Sequence, residues 1–281
     1  MNASQRTSYS EPQKTPEQLL ALGKEYYEKG EYGSAAEYFK QAANRGNSIA
    51  QYLLGLCYVN GFGVTQNYAK AVKWFRKSAE QGNADGQWRL GVCYTTMIGV
   101  MPDSAEAAKW YRKAAEQGHA EAQCRLGICY SYGVGVERNY TEAVKWYRKA
   151  AEQGDKDAQR RLGICYSYGV GVERNYTEAV KWYRKAAEQG DKDAQYQLGC
   201  YYERLYYHGI GVKQYYAEAV KWYRKAAEQG NKDAQYDLGL CYYNGHGVAV
   251  DKEKAKDLWR KAKAQGNEDA TEALRECFNE E

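Results

Sequence analysis

Apolar residues recur along the chain at helical spacing, and glycine-bearing segments interrupt them. In the stretch from Asp155, the first half carries one stripe at steps of four: Ala158, Leu162 and Tyr166. The second half carries another stripe on one face: Ala179, Trp182, Ala186 and Ala187. Such stripes are typical of amphipathic helices. The Gly169–Val172 break and Gly190, a predicted C-cap, then indicate two antiparallel helices joined by a loop.

This pattern repeats along almost the whole chain. A glycine closes each predicted second helix: Gly46, Gly82, Gly118, Gly154, Gly190, Gly230 and Gly266. The spacing is 36 residues throughout except for one step of 40, and residues 125–159 recur unchanged as 161–195. One helix pair cannot bury its apolar face alone, whereas stacked pairs can. The repetition therefore predicts an all-α solenoid.

The repeated residues resemble a known family. The pattern A-x-x-x-L-G-x-x-Y-x-x-G-x-G-V, followed by A-x-x-W-[YF]-x-x-A-A-x-x-G, is similar to the Sel1-like repeat of the TPR-like superfamily. The resemblance implies a right-handed α-α superhelix. Six Sel1-like units are expected at 47–82, 83–118, 119–154, 155–190, 191–230 and 231–266. We expect a disordered tail over 1–14, a TPR-like first repeat over 15–46 that starts with a Thr15 capping box, and a capping helix over 267–281.

Two units depart from the pattern. Met97 stands where the others have the first loop glycine, so we expect that loop to have another shape. Four residues are inserted near Glu203–His208, and they are expected to lengthen the first helix by about one turn.

Charge and composition exclude several function classes. The net charge is +4 from 40 basic and 36 acidic residues, which is too balanced to indicate nucleic-acid binding. The rows of lysines and arginines on the second helices, such as Lys181 and Arg184, are interpreted as a solvated face. No apolar run is long enough to insert in a membrane, and the N-terminus lacks a signal-peptide core. We expect a cytoplasmic protein, with export by a non-cleaved signal left open.

Six of the eight cysteines form a ladder, one per unit: Cys57, Cys93, Cys129, Cys165, Cys241 and Cys277. Stacked helices lie about 8–10 Å apart, whereas a disulfide needs Cα atoms within about 7 Å. We therefore expect free, buried thiols. The tryptophan row, which includes Trp110 and Trp182, is expected to form core.

Nothing in the sequence indicates catalysis, a metal site or a cofactor. The three histidines are dispersed, although His208 and His246 lie in loops of neighbouring units. No G-x-S-x-G or phosphate-loop motif occurs, and the G-x-G-V glycines recur in most units, which indicates a structural role. Some members of the family carry a β-lactamase label, so a hydrolase stays as one alternative.

By the same resemblance, the first helices line a concave surface. The expected contact residues there are Tyr52, Leu56, Trp88, Val92, Cys124, Ile128, Arg160, Ile164, Tyr196, Tyr236, Leu240 and Tyr243. The row that contains Trp88 varies between units and is rich in Tyr, Trp and Arg, which are common in binding hot spots. We predict a non-enzymatic adaptor or scaffold that binds a protein or peptide, as a monomer or with weak self-association. A purely structural array is the other alternative.

Overall fold

The computed structural model describes residues 13–205 and 213–280, and all secondary structure in these ranges is α-helical. The expected all-α fold of helix pairs is confirmed. The chain forms two compact units, Met1–Arg138 and Asn139–Glu281. Residues 1–12 of the expected tail and His208 of the insertion lie outside the described residues.

The first unit contains seven helices. They are α1 (Pro16–Glu28), α2 (Tyr32–Asn44), α3 (Ser48–Asn60), α4 (Tyr68–Glu80), α5 (Ala84–Thr96), α6 (Ser104–Glu116) and α7 (Ala120–Tyr132). The second unit contains eight. They are α8 (Tyr140–Glu152), α9 (Lys156–Tyr168), α10 (Tyr176–Glu188), α11 (Lys192–Leu205), α12 (Lys213–Glu228), α13 (Lys232–Asn244), α14 (Lys252–Ala264) and α15 (Glu268–Phe278). Within each unit, consecutive helices pack against each other.

Polar caps start the helices. The residue after each inter-repeat glycine caps the next first helix: Asn47, Asn83, His119, Asp155, Asn231 and Asn267. Each side chain accepts a hydrogen bond from the backbone N–H three residues on, which satisfies a donor that the helix leaves free. The Thr15 capping box is present. Local sequence therefore fixes where these helices begin, whereas α2 begins without a side-chain cap.

Six helix pairs close on a contact between a glycine and an aromatic ring. A Cβ added to Gly163 on α9 would lie 2.6 Å from the ring of Tyr183 on α10. The same contact joins Gly23 to Phe39, Gly55 to Phe75, Gly91 to Tyr111, Gly199 to Tyr223 and Gly239 to Trp259. These rings are at most 3% exposed. The absence of a side chain on the glycine lets the ring fill the space between the two helices.

The tryptophan row is only partly core. Trp110, Trp182 and Trp222 are buried, but Trp74 and Trp146 are half-buried. A lysine three residues on covers each ring; the Lys77 ammonium, for example, lies 4.5 Å from the centroid of the Trp74 ring. The residue after each tryptophan carries the ring that packs against the first helix of the pair. The tryptophan therefore lies at the edge of the interface between the two helices, and the lysine side chain covers its outer surface.

Neighbouring repeats are joined by buried glutamines, which the sequence did not single out. Gln159 is 3% exposed, and its side-chain amide donates to the Ala151 carbonyl of the preceding helix at 3.1 Å. Its own carbonyl oxygen accepts from Gln189 at 2.8 Å. Gln51, Gln87, Gln195 and Gln235 make the same pair of bonds. Each glutamine thus links three helices.

The arginines of the second helices are more than a solvated face. Arg184 donates to the Tyr202 hydroxyl of the next repeat at 2.6 Å, and the same bond recurs from Arg76, Arg112, Arg148 and Arg224. By contrast, the exposed lysines pair with a glutamate on their own helix, as Lys181 does with Glu178.

One expectation about the irregular repeats was wrong. Met97 ends α5 with a φ of 56°, the left-handed conformation that glycine adopts at the other first-helix ends, and its N–H donates to the Cys93 carbonyl as theirs do. That loop therefore makes the usual turn despite the missing glycine. Near the insertion, the described parts of α11 and α12 have 14 and 16 residues, compared with 13 in the regular helices. Residues 206–208 of the insertion lie outside the described residues, so the expected lengthening of the first helix stays a prediction.

Replacing Gly163 with Ala should lower the free energy of unfolding by about 1–3 kcal/mol, because the new methyl group overlaps the Tyr183 ring. Gly33→Ala on α2 is the matched control. Nothing lies within 4 Å of its Cβ, so it should leave stability unchanged or raise it by up to about 1 kcal/mol. Urea unfolding measures both, and equal effects of the two substitutions would contradict the packing role of Gly163.

Replacing Met97 with Gly should stabilise the chain by about 1 kcal/mol, because a left-handed conformation is costly for a residue with a Cβ. Gly169→Ala, at the equivalent turn of α9, should lower stability by a similar amount. A Met97→Gly variant that unfolds at a lower urea concentration than the parent would contradict this account.

Candidate functional site

The candidate site is the surface formed by one side of the first helix of each pair, which we call the first-helix face. In the first unit it comprises side chains of α1, α3, α5 and α7, and in the second unit those of α9, α11, α13 and α15. Eleven of the twelve expected contact residues are half-buried there, whereas Cys124 is only 4% exposed. Cys124 therefore contributes to packing and offers no contact surface.

Several residues of the expected binding row pack between neighbouring repeats. The Trp88 ring stacks on the His119 ring, with centroids 5.1 Å apart, and His119 caps the next first helix. The Arg160 Nε donates to Asp191 at 3.3 Å, and Asp191 caps the next helix by accepting from the Ala194 N–H at 2.8 Å. These side chains connect repeats and keep only part of their surface for a ligand.

The aliphatic row lies two residues after each helix leucine. In the first unit, Leu56 lines a cavity of about 300 Å³ together with Lys24, Tyr27, Leu53, Asn60 and Phe62. The cavity has mostly apolar walls, and Tyr27 at its edge contacts Tyr32 and Phe62 through its ring. In the second unit, Leu240 and Tyr243 pack on the Trp259 core next to α15, while Ile164 packs beside Ala179.

A cluster of polar side chains lies on the same face of the second unit. The Tyr223 hydroxyl donates to Glu203 at 2.6 Å, and the Tyr216 hydroxyl donates to it at 3.4 Å. Asp237 on α13 faces this cluster and is hydrogen-bonded to Tyr196. Burial, reinforced by the negative charge of Glu203, raises the pKa of Asp237 to about 7. The insertion repeat and the repeat after it thus bring two carboxyl groups together among tyrosines.

The eight cysteines are free thiols. Of the six expected to be buried, five are buried, but Cys277 is exposed. Cys200 lies within the polar cluster, next to Tyr196 and Tyr223. Burial raises the pKa of Cys57, Cys93, Cys129 and Cys165 to about 11. Because the thiolate is the reactive form, these side chains act as small core residues at neutral pH. Within residues 13–205 and 213–280, no three His, Cys, Asp or Glu side chains are placed to hold a metal ion.

The Sel1 repeat family model matches seven consecutive segments of the chain. They are residues 19–47, 48–83, 84–119, 120–155, 156–191, 192–231 and 232–267. The chain belongs to the Sel1-repeat family. The family model also matches the first repeat, for which we expected a TPR-like sequence.

Two solved structures of this Sel1-repeat fold are similar to the chain. One is c5321, described as a protective antigen present in uropathogenic Escherichia coli strains; it is 39% identical, with a TM-score of 0.84. That similarity covers 94% of this chain and 56% of c5321. The other is a Sel1 repeat protein from Oxalobacter formigenes, 36% identical with a TM-score of 0.75, covering 87% of this chain and 96% of that one. Among curated proteins, none matches. No helix in the described part of the Sel1-repeat chain is long and apolar enough to cross a membrane.

Sequence reasoning predicted a first-helix face but not the polar cluster around Asp237. The cluster around Asp237 combines side chains from three helices, α11, α12 and α13, so no local motif marks it. The sequence gives one indication of this cluster: Asp237 occupies the position that Arg89, Arg125 and Arg161 hold in earlier repeats.

Replacing Asp237 with Asn should flatten the pH dependence of stability. The raised pKa makes the folded chain bind more protons than the unfolded chain between about pH 4 and 7, so stability falls as pH rises through this window. The groups facing Asp237 are Glu203, Tyr196, Asp233 and Asp269, and Asn leaves all of them in place.

Urea unfolding from pH 4 to 8 measures this effect. Relative to the parent, the variant should gain stability as the pH rises. The control is Glu116→Gln on the exposed end of α6, which should leave the parent's pH dependence unchanged. Parallel pH profiles for Asp237→Asn and the parent would contradict the assignment.

Proposed function

We propose that this Sel1-repeat protein is a scaffold or adaptor that binds an extended peptide or a helix of a partner protein on its first-helix face. Membership of a repeat family built from stacked helix pairs supports the scaffold role. The proposed contact residues are those expected from sequence, without the buried Cys124: Tyr52, Leu56, Trp88, Val92, Ile128, Arg160, Ile164, Tyr196, Tyr236, Leu240 and Tyr243.

The observation that carries this proposal is the cavity of about 300 Å³ lined by Tyr27 and Leu56. Tyr27 keeps 41% of its surface exposed. An apolar recess flanked by polar groups such as Lys24 and Asn60 suits a large apolar anchor of a bound segment.

The division between repeated and varied positions also supports binding. The ring over the helix glycine and the bridging glutamine recur from repeat to repeat, whereas the residues two positions before the leucine change from Tyr52 to Trp88, Arg160 and Tyr196. Packing between helices explains the positions that recur. The positions that vary keep part of their surface for a ligand, and their differences can match the side chains of a partner.

Selection from a random peptide library displayed on phage tests the proposal with a defined probe. Two variants remove apolar anchor surface: Tyr27→Ala/Leu56→Ala in the first unit, and Tyr201→Ala, which lines a cavity on α11 of the second unit. Synthetic versions of the selected peptides should bind one or the other variant at least about 10-fold more weakly than the parent.

Tyr68→Ala is the matched control. Tyr68 is 44% exposed but lies on a second helix, so its removal should leave affinity unchanged. Circular dichroism confirms that each variant is folded. Peptides that bind all folded variants with the parent's affinity would show that the first-helix face is not the site.

A further inference from the structure

A second cavity, of about 310 Å³, lies between α9, α10 and α11 of the second unit. Its polar lining comes from three places: Ser167 and Tyr168 at the end of α9, Arg174 and Tyr176 at the start of α10, and Gln197, Tyr201 and Arg204 on α11. Ser167 and Cys200 place it on the first-helix face. It differs from the Tyr27 cavity because two guanidinium groups line it.

Both guanidinium groups lie beside one aromatic ring. The Cζ of Arg174 is 5.5 Å from the centroid of the Tyr176 ring, and the Cζ of Arg204 is 5.2 Å from the same centroid. In the described part of the chain, neither arginine forms an ion pair. Contact with the Tyr176 ring places both positive charges within about 6 Å of one ring centroid without neutralising them.

Two carboxylates near these arginines in sequence are engaged elsewhere, whereas Glu173, next to Arg174, is exposed and forms no ion pair within the described residues. Glu203 accepts from the hydroxyls of Tyr223 and Tyr216, and Glu178 pairs with Lys181 at 3.2 Å. The Ser167 hydroxyl donates to the Tyr183 hydroxyl at 3.2 Å. The cavity therefore keeps the guanidinium N–H groups, the Gln197 amide and the Tyr168 and Tyr201 hydroxyls as donors for a ligand, and Tyr168 is 70% exposed.

The second arginine is specific to this repeat. The position of Arg204 is held by Asn60, Thr96, Tyr132, Tyr168 and Asn244 in the other repeats. Arg174 has a counterpart in the duplicated repeat, Arg138, but the position equivalent to Arg204 there is Tyr168. Only the junction of α9, α10 and α11 therefore combines both.

We propose that this cavity binds the carboxylate of an aspartate or glutamate side chain of the partner, held by Arg174 and Arg204. The inference rests on the proposed function and specifies the partner as a segment with an acidic residue. Guanidinium groups match the geometry of a carboxylate and bind it through charge-assisted hydrogen bonds.

The first experiment tests the cavity without any peptide. Acetate and, separately, inorganic phosphate replace chloride at constant ionic strength while the arginine Nε–H signals of the ¹⁵N-labelled full chain are recorded. Arg174→Gln and Arg204→Gln variants assign the two signals. Saturable shifts of both signals with acetate are expected. No response of either signal overturns the proposal, and a response to phosphate alone overturns the choice of a carboxylate.

The second experiment uses peptides selected on the parent protein. Selected peptides that bind the second unit should carry a fixed Asp or Glu, and replacing it with the amide should weaken binding to the parent at least about 10-fold. The same change in the peptide, from the acid to the amide, should alter its affinity for the Arg174→Gln/Arg204→Gln double variant by less than about 2-fold. Lys181→Gln/Lys221→Gln, which removes equal charge from exposed positions on second helices of the same unit, should retain the full effect.

The two proposals fail in different ways. Peptides that bind the first-helix face without a required acidic residue overturn the carboxylate site but keep the scaffold function. If the library yields no binder, the scaffold function fails, and the acetate titration alone decides whether the cavity is an anion site.

Discussion

The contact between a helix glycine and an aromatic ring is the constraint on which the rest of the structure depends. Gly163 accepts the ring of Tyr183 because it has no Cβ, and this brings the two helices of a pair close together. The Tyr183 ring is buried, and Trp182, the residue before it, lies at the edge of the interface between the two helices, where the Lys185 side chain covers its ring. With the pair closed in this way, the buried Gln159 reaches the helix before it and the end of the helix after it. The contacts between helices therefore recur from one pair to the next, and few of the residues that make them can change.

The glycine–ring contact does not determine which side chains occupy the first-helix face. Side chains there contact neighbouring repeats on one side and keep surface on the other, as Trp88 does beside His119. Changes at such positions alter charge and shape without disturbing the glycine contact. The first unit accordingly has an apolar cavity at Leu56, whereas the second combines the Asp237 carboxyl with the two arginines near Tyr176. One backbone pattern thus carries surfaces of different chemistry.

Periodicity predicted the helix pairs, their order and the free thiols, because these depend on local spacing and on helix separation. It did not predict which large residue meets the glycine, since Trp182 and Tyr183 are adjacent and equally bulky. The Met97 turn was missed because glycine was taken as obligatory where the chain tolerates a strained side chain. The Arg174–Arg204 cavity could not be predicted, because it joins a loop residue to a helix residue 30 positions away.

Photo-crosslinking of a selected peptide tests the central claim, that the first-helix face is the binding surface, most directly. A photoreactive group is placed at successive peptide positions, and mass spectrometry identifies the labelled residues of the chain. The account predicts labels on first-helix residues such as Tyr27, Leu56 and Tyr201. Labels confined to second-helix residues such as Trp74 and Lys77 would contradict it.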